Sequence, residues 1–124
     1  MATEINATYA SEFYENLVAG TAVPSGPRYL ALATTAWTEA AGGSYARQDI
    51  SAAFPAGTAG DGVNDVGVMF TGLSAATYTQ WMIFDHLTVG VYTIRGTFVS
   101  PQVIPGGGSL VVAVGDLSIR VDAI

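Results

Sequence analysis

Short apolar runs separated by turn signals dominate this sequence from residue 28 onward. Breaks that contain glycine or proline recur about every 8–12 residues, a spacing typical of antiparallel β proteins. The runs are predicted as strands at residues 28–37, 45–54, 66–71, 77–85, 89–99, 110–114 and 117–121. Because no long helical pattern separates them, the sequence predicts a mainly β fold, an antiparallel β-sandwich or barrel of about seven short strands.

Side-chain alternation predicts how some of these strands lie. Residues 77–85 are apolar on both faces, which favours a central position in a sheet. In the strand at 89–99, strict alternation places Tyr92, Ile94 and Phe98 together on one face. The segment after it, 101–108, contains two prolines and three consecutive glycines and is predicted as a long loop.

The N-terminal part of the chain differs from the rest. Residues 1–10 are polar with small side chains and are predicted as an N-terminal arm, held either on its own domain or by a partner. A helix of about two turns is predicted at 12–19, with Ser11 as its N-cap, and a helix that short needs packing to be stable. Phe13 and Leu17 share one face of it and are expected to supply that contact. Residues 11–124 then form a single domain with one short leading helix.

The charge composition excludes several classes of partner. Of the 124 residues, 11% are charged, against roughly 25% in an average soluble domain. The net charge is −6 and the chain contains no lysine, so it lacks the basic footprint of a protein that binds nucleic acid or an anionic membrane. The absence of cysteine excludes disulfides and thiolate chemistry. A surface so poor in charge is expected to be covered by other subunits.

The sequence offers no catalytic constellation. His86 is the only histidine, and it directly follows Asp85, so on a strand the two side chains would point to opposite faces. The Gly-x-Ser-x-Gly nucleophile elbow is absent, and a chain without lysine cannot form a Walker phosphate loop. We therefore expect no enzymatic activity, no cofactor and no catalytic residues.

One loop has side chains that could bind a metal ion. Asp61, Asn64 and Asp65 place three oxygen-bearing side chains in a short glycine-containing segment, which could attract calcium. The segment lacks the spacing and terminal glutamate of an EF-hand. Asp, Asn and Gly also favour tight turns without any ion, so no metal ligand is assigned.

Aromatic and arginine residues are the candidates for contacts between subunits. Tryptophan and arginine carry a disproportionate share of binding energy at protein interfaces. Arg47 and Arg95 lie within predicted strands, where each would pair either with a carboxylate of a neighbouring subunit or within the chain. The predicted interface residues are Phe13, Leu17, Trp37, Arg47, Trp81 and Arg95.

The order of several segments carries a family resemblance. Its most distinctive parts are Tyr45-Ala46-Arg47-Gln48 and the closing strand that begins Gly115-Asp116-Leu117. Over roughly residues 12–122 the chain resembles a family of small tailed-phage virion proteins, often labelled tail fibre proteins, some of which look like capsid cement proteins. Members of this family carry a Gly-Gly pair after the equivalent of Phe84-Asp85, where this chain has His86-Leu87-Thr88-Val89-Gly90.

The resemblance implies a structural role in a phage particle and transfers no site residues. The function expected from it is that of a capsid cement (decoration) protein, which binds the major capsid protein and stabilises the shell, as a homotrimer. The alternative is a tail or tail-fibre component of the same fold. The expected location is the capsid surface of the virion, with a stage in the host cytoplasm during assembly.

Overall fold

The computed structural model describes residues 3–14, 18–20, 27–53 and 61–120. Its elements are β1 (Thr3–Ile5), α1 (Ala7–Tyr14), β2 (Tyr29–Thr34), β3 (Thr38–Glu39), β4 (Gln48–Asp49), β5 (Asp61–Val63), β6 (Val68–Leu73), β7 (Ala76–Phe84), β8 (Tyr92–Ile104), β9 (Gly108–Val112) and β10 (Ser118–Arg120). Every pairing between these strands is antiparallel, which confirms the predicted mainly β, antiparallel class. The described part has ten strands rather than about seven, because several are only two or three residues long.

A large sheet organises the fold. Its strand order is β1-β8-β7-β2-β3, with β4 also paired to β2, so β7 occupies the predicted central position. Two smaller sheets pair β6 with β9 and β5 with β10. None of the described sheets closes on itself.

The main core lies between one face of the large sheet and the β6–β9 pair. Its largest fully buried side chains are Trp81, Tyr78, Phe70, Leu30, Leu32, Leu73, Leu110, Leu117 and Val112. Burying one such side chain contributes about 1.5–3 kcal/mol, so this cluster is the principal source of stability. A second buried cluster on the opposite face of the large sheet, called here the second face, consists of Ala31, Ala33, Met82 and Phe84. Alternate side chains of β7 therefore contribute to both clusters, as the two apolar faces of its sequence predicted.

Strand β8 is longer than the sequence indicates. The prediction of a long loop at residues 101–108 is wrong, because β8 continues to Ile104 and pairs there with Ala76 of β7. The register between the two strands skips residues 98–101, so Pro101 lies where no ladder hydrogen bond is lost. The remaining connection to β9 is a tight turn, in which the Gly107 N–H donates to the Leu73 carbonyl at 2.7 Å.

A bulge in β8 also corrects the prediction for Tyr92. The register pairs Ile83 with Ile94 but Phe84 with Tyr92, so β8 has one extra residue at Thr93. Ile94 and Phe98 pack against the main core as predicted, whereas Tyr92 packs against the second face. Strict alternation fails at a bulge because the extra residue reverses the side to which the next side chain points.

The N-terminal segment is partly built into the sheet. Thr3–Ile5, within the predicted arm, forms β1 along β8, and the Asn6 N–H donates to the Thr93 carbonyl at 2.9 Å. Helix α1 starts earlier than predicted, at Ala7, directly after an asparagine, a residue type favoured at helix N-caps. Of the predicted strand at 45–54, only Gln48–Asp49 is β structure, and residue 54 lies outside the described residues. Helix α1 is too short to cross a membrane, and the described residues contain no helix that could.

Candidate interaction surface

Arg95 lies against two aromatic rings on the second face. Its guanidinium carbon is 4.1 Å from the centre of the Trp37 ring and 4.5 Å from that of Tyr92. All three side chains are half-buried, with Trp37 and Tyr92 packed beside the buried Met82 and Phe84. We call Trp37, Tyr92 and Arg95 the Arg95 cluster. It combines cation–π stacking with apolar area that remains partly accessible.

The backbone that presents Trp37 is strained. Strand β2 ends at Thr34, earlier than the predicted 28–37, and the chain then makes a short 3-10 turn. Within it, Ala36 has φ 66° and Trp37 has φ 62°, values that non-glycine residues rarely adopt. The Trp37 N–H is held by Gln80 Oε1 at 2.8 Å. Strain of about 1–3 kcal/mol per residue persists where surrounding contacts enforce it, and it concentrates at binding sites.

Arg47 forms its ion pair and its aromatic contact within the chain. It is 8% exposed and forms a two-point ion pair with Glu39, with Nη2–Oε1 at 2.8 Å and Nε–Oε2 at 2.9 Å. Its guanidinium also lies 3.5 Å from the centre of the Phe84 ring. The sequence allows two partners for Arg47, a carboxylate of a neighbouring subunit or one within the same chain. In the structure its partner is Glu39 of the same chain.

Tyr45 joins this ion pair to the main core. Its hydroxyl donates to Glu39 Oε2 at 2.7 Å and accepts from the Leu32 N–H at 3.2 Å, while its ring stacks on Phe70. Burial raises the pKa of Glu39, but hydrogen bonds from Arg47 and Tyr45 outweigh it and hold that pKa below its ordinary value. Burial and the neighbouring Glu39 carboxylate raise the pKa of Tyr45. Near neutral pH, Glu39 therefore stays ionised and Tyr45 stays protonated, so the hydrogen bond between them persists.

The same arginine organises the loop at residues 85–90. Arg47 Nη1 donates to the carbonyls of His86 and Val89 at 2.8 and 2.9 Å. Within the loop, His86 Nδ1 accepts from the Thr88 and Val89 N–H groups at 3.3 and 3.4 Å. Gly90 has φ +90°, and a Cβ there would lie 2.3 Å from an oxygen of Asp85. His86 therefore acts in this structure as a turn-forming residue.

The other predicted interface residues lie elsewhere. Trp81 is fully buried in the main core and offers no surface to a partner, because β7 is the central strand. Phe13 belongs to α1, and Leu17 lies outside the described residues. The structure thus brings together two of the six predicted residues, Trp37 and Arg95. Tyr92 is the third member of the cluster, and the sequence does not predict it because the bulge that turns it toward Arg95 has no sequence signature.

Asn64 uses its side chain to hold the fold together. It is 1% exposed, and its Nδ2 donates to the carbonyls of Val66 and Ala113 at 3.0 and 2.9 Å. Its Oδ1 accepts from the Leu117 N–H at 2.9 Å. These bonds favour the turn-forming interpretation of the loop at 61–65. Among the described residues, no group of three or more His, Cys, Asp or Glu side chains is placed to hold a metal ion.

Comparison with known protein families places this β-rich chain in the class of tailed-phage virion structural proteins, as the resemblance predicted. More particularly, the chain belongs to the family described as Podophage GP4 fiber I protein gp80, whose model matches residues 5–120. The match runs from β1 into β10 and includes the whole Arg95 cluster. No curated protein matches the chain.

Proposed function

We propose that this chain is a structural component of a phage fibre and binds a neighbouring virion subunit through the Arg95 cluster. The family description as a fibre protein supports the fibre assignment. The observation that supports the site is the stacking of the half-buried Arg95 on Tyr92 and on Trp37, which lies on a strained turn. Trp, Tyr and Arg are the residue types that dominate binding energy at protein interfaces.

The arrangement suits a flat contact with an apolar or aromatic surface of a partner. A guanidinium stacked on aromatic rings is held in one orientation. The backbone N–H of Trp37 donates to Gln80 Oε1, and the side chains of Trp37, Tyr92 and Arg95 pack on one another, so little conformational freedom is lost on binding. The half-buried aromatic area is the part that a partner would cover, as in a typical interface hot spot.

The proposed role is mechanical and not enzymatic. Glu39, Tyr45 and Arg47 are engaged with one another, and the ring of His86 accepts hydrogen bonds from its own turn. These contacts use the ionisable groups for stability, which supports a structural function. The partner in this proposal is another virion protein.

A capsid cement role is the second candidate. Composition favours it, because 50% hydrophobic and 11% charged residues suit a chain that is covered by neighbours over a large area. In that role the chain would bind the major capsid protein, as a homotrimer, at the outer surface of the head. Binding only to the assembled shell would stabilise the shell by mass action.

Copy number and position in purified virions test the proposal. Quantitative mass spectrometry gives the number of copies relative to the major capsid protein, and immunogold labelling gives the location. A low copy number with label at a fibre supports the fibre role. A copy number comparable with that of the capsid protein, with label over the head, would contradict it and support the cement role.

A further inference from the structure

Strands β6 to β9 form one long antiparallel ribbon that folds over on itself. In the large sheet, Ala76 of β7 pairs with Ile104 of β8, and in the small sheet Leu73 of β6 pairs with Gly108 of β9. The strand pairing therefore continues from one sheet into the other around a corner. Because the main core lies between these two sheets, β9 approaches β8 from the opposite layer, at one side of the core.

At this side of the core, both β8 and β9 have an edge without a neighbouring strand. Strand β1 pairs with β8 only at residues 94–96, and among the described strands none borders the same edge of β8 beyond that range. Strand β9 pairs with β6 along one edge, and no described strand pairs with its other edge. Open strand edges carry main-chain donors and acceptors that can pair with a further strand.

Side chains bond part of the main chain at these two edges. The Gln102 Nε2 group donates to the Ser100 carbonyl of β8 at 2.9 Å. Directly after β9, the Ala113 N–H donates to Asp116 Oδ2 at 3.0 Å. Ser100 and Asp116 are both exposed. Local side-chain bonds of this kind compete with strand pairing and are exchanged when a strand arrives.

A groove separates the two open edges. It has a volume of about 220 Å³ and is lined by both strands, with Val99 on the β8 side and Val111 on the β9 side. Leu110 and Val112 also line it and are buried in the main core, so its floor is apolar. Asp116 contributes a carboxylate to the lining. Packed sheets lie about 10 Å apart, twice the roughly 4.8 Å between paired strands, so one extended segment fits between the two edges.

We infer that this groove receives one extended, cationic segment of another virion protein, which pairs with the main chain of β8 and β9 and joins the two sheets. Open strand edges recognise an extended main chain by adding it to the sheet as a further strand. The apolar floor at Leu110 and Val112 accepts alternate side chains of that segment. This contact is separate from the Arg95 cluster, which lies on the second face.

Charge favours a partner other than a second copy of this chain. The chain has a net charge of −6 and contains no lysine, and the groove itself contains the carboxylate of Asp116. A second copy would bring the same negative charge, whereas a segment with lysine or arginine is attracted both to Asp116 and to the chain as a whole. The expected segment therefore has apolar side chains on one face and at least one basic residue.

Photo-cross-linking in purified virions identifies what lies in the groove. In the full chain, p-benzoylphenylalanine is introduced in place of Val99 or of Val111, which are 88% and 57% exposed, and mass spectrometry locates the cross-linked residues. The same replacement at Val89, which is 61% exposed on the loop at 85–90, is the matched control. Because one segment lies between both edges, cross-links from positions 99 and 111 should fall within the same stretch of about five residues in one other virion protein. Cross-links from position 89 should not reach that stretch.

Hydrogen exchange tests whether the main chain forms the contact. A synthetic peptide with the sequence of the cross-linked stretch is added to the isolated full chain. It should protect backbone amides of both β8 and β9, because an inserted strand bonds to its two neighbours. Asp116→Asn keeps an oxygen acceptor for the Ala113 N–H and should weaken peptide binding about threefold. Asp65→Asn, which removes an exposed charge outside the groove lining, is the matched control and should bind like the wild type.

Other occupants of the groove give different results. Cross-links to a second copy of this chain, to residues of the same chain or to no protein would overturn the inference. A peptide that leaves the amides of either edge unprotected would overturn the strand pairing. Trp37→Ala should leave peptide binding unchanged, because Trp37 packs on the second face and not in the groove. A failure of the Arg95 cluster as a binding site is therefore distinguishable from a failure of the groove.

Discussion

The guanidinium of Arg95 lies 4.1 Å from the centre of the Trp37 ring, and this contact joins two distant parts of the chain. Arg95 belongs to β8, and Trp37 to the strained turn after β2. In the large sheet, β7 lies between β8 and β2. The contact between Arg95 and Trp37 therefore crosses β7 on the second face of the sheet.

Trp37→Ala is expected to reduce incorporation of the chain into virions while leaving its fold intact. Loss of an interface hot spot costs about 2 kcal/mol or more in binding, roughly a thirtyfold loss of affinity. Arg95→Lys should act in the same direction, because lysine keeps the charge but loses the planar stacking. Quantitative mass spectrometry of virions that carry each variant measures the effect. Tyr14→Ala, which truncates a 64% exposed aromatic residue of α1, is the control, and wild-type copy number for Trp37→Ala would exclude the proposed site.

Arg47→Met should destabilise the fold by about 3 kcal/mol. The change removes the ion-pair partner of Glu39 and the Nη1 group that donates both hydrogen bonds to the loop at 85–90, and it leaves the half-buried Glu39 carboxylate without a counter-charge. Urea unfolding followed by fluorescence measures the loss. Adding Glu39→Gln should recover part of it, since the unpaired charge is then gone. If the double variant were less stable than Arg47→Met, the unpaired carboxylate would not be the cause.

Stability is expected to fall in acid in a way that depends on Glu39. Its pKa in the folded chain is below the ordinary value of 4.5, so the unfolded chain takes up a proton first as the pH falls. The contribution of the ion pair is therefore complete above about pH 4.5 and is lost as the pH falls through the lower folded pKa. Melting temperatures between neutral pH and strong acid should drop less steeply for Glu39→Gln. Hydrogen bonds from Ser51 also lower the pKa of Asp49. The melting temperatures of Asp49→Asn over the same pH range show how much of the acid effect comes from this second carboxyl group and how much from Glu39.

Asn64→Asp should be among the most destabilising single substitutions, at about 3 kcal/mol or more. The carboxylate would face the carbonyls of Val66 and Ala113, which now accept hydrogen bonds from the amide nitrogen, in a site that is 1% exposed. Asn6→Asp is the matched control, because it precedes helix α1, where aspartate is favoured, and its stability should hardly change. Thermal melts of the two variants provide the test, and equal melting temperatures would contradict the role assigned to Asn64.

Local patterns in the sequence were sufficient for the fold class and for the central strand. Alternating apolar runs with frequent turns predict antiparallel strands, and a run that is apolar on both faces predicts β7 between two neighbours. The same local reasoning failed for α1, because Asn6 and Ser11 are both favourable residues before a first helical turn and local signals do not choose between them, whereas the helix starts at Ala7. It also failed for residues 101–108, where proline and glycine indicate a loop although Pro101 lies in an irregular part of β8 that needs no ladder bond.

The partners of the arginines depended on the tertiary structure. The sequence identifies Trp37, Arg47 and Arg95 as residues that need partners, because a tryptophan or a guanidinium in a strand is rarely left without contacts. Only the strand order and register determine that Arg47 meets Glu39 and Phe84, and that Arg95 meets Trp37 and Tyr92. A one-residue bulge at Thr93 is enough to bring Tyr92 to the face of Arg95. Because register is set by the packing of the whole sheet and not by nearby residue types, these contacts could not be read from the sequence.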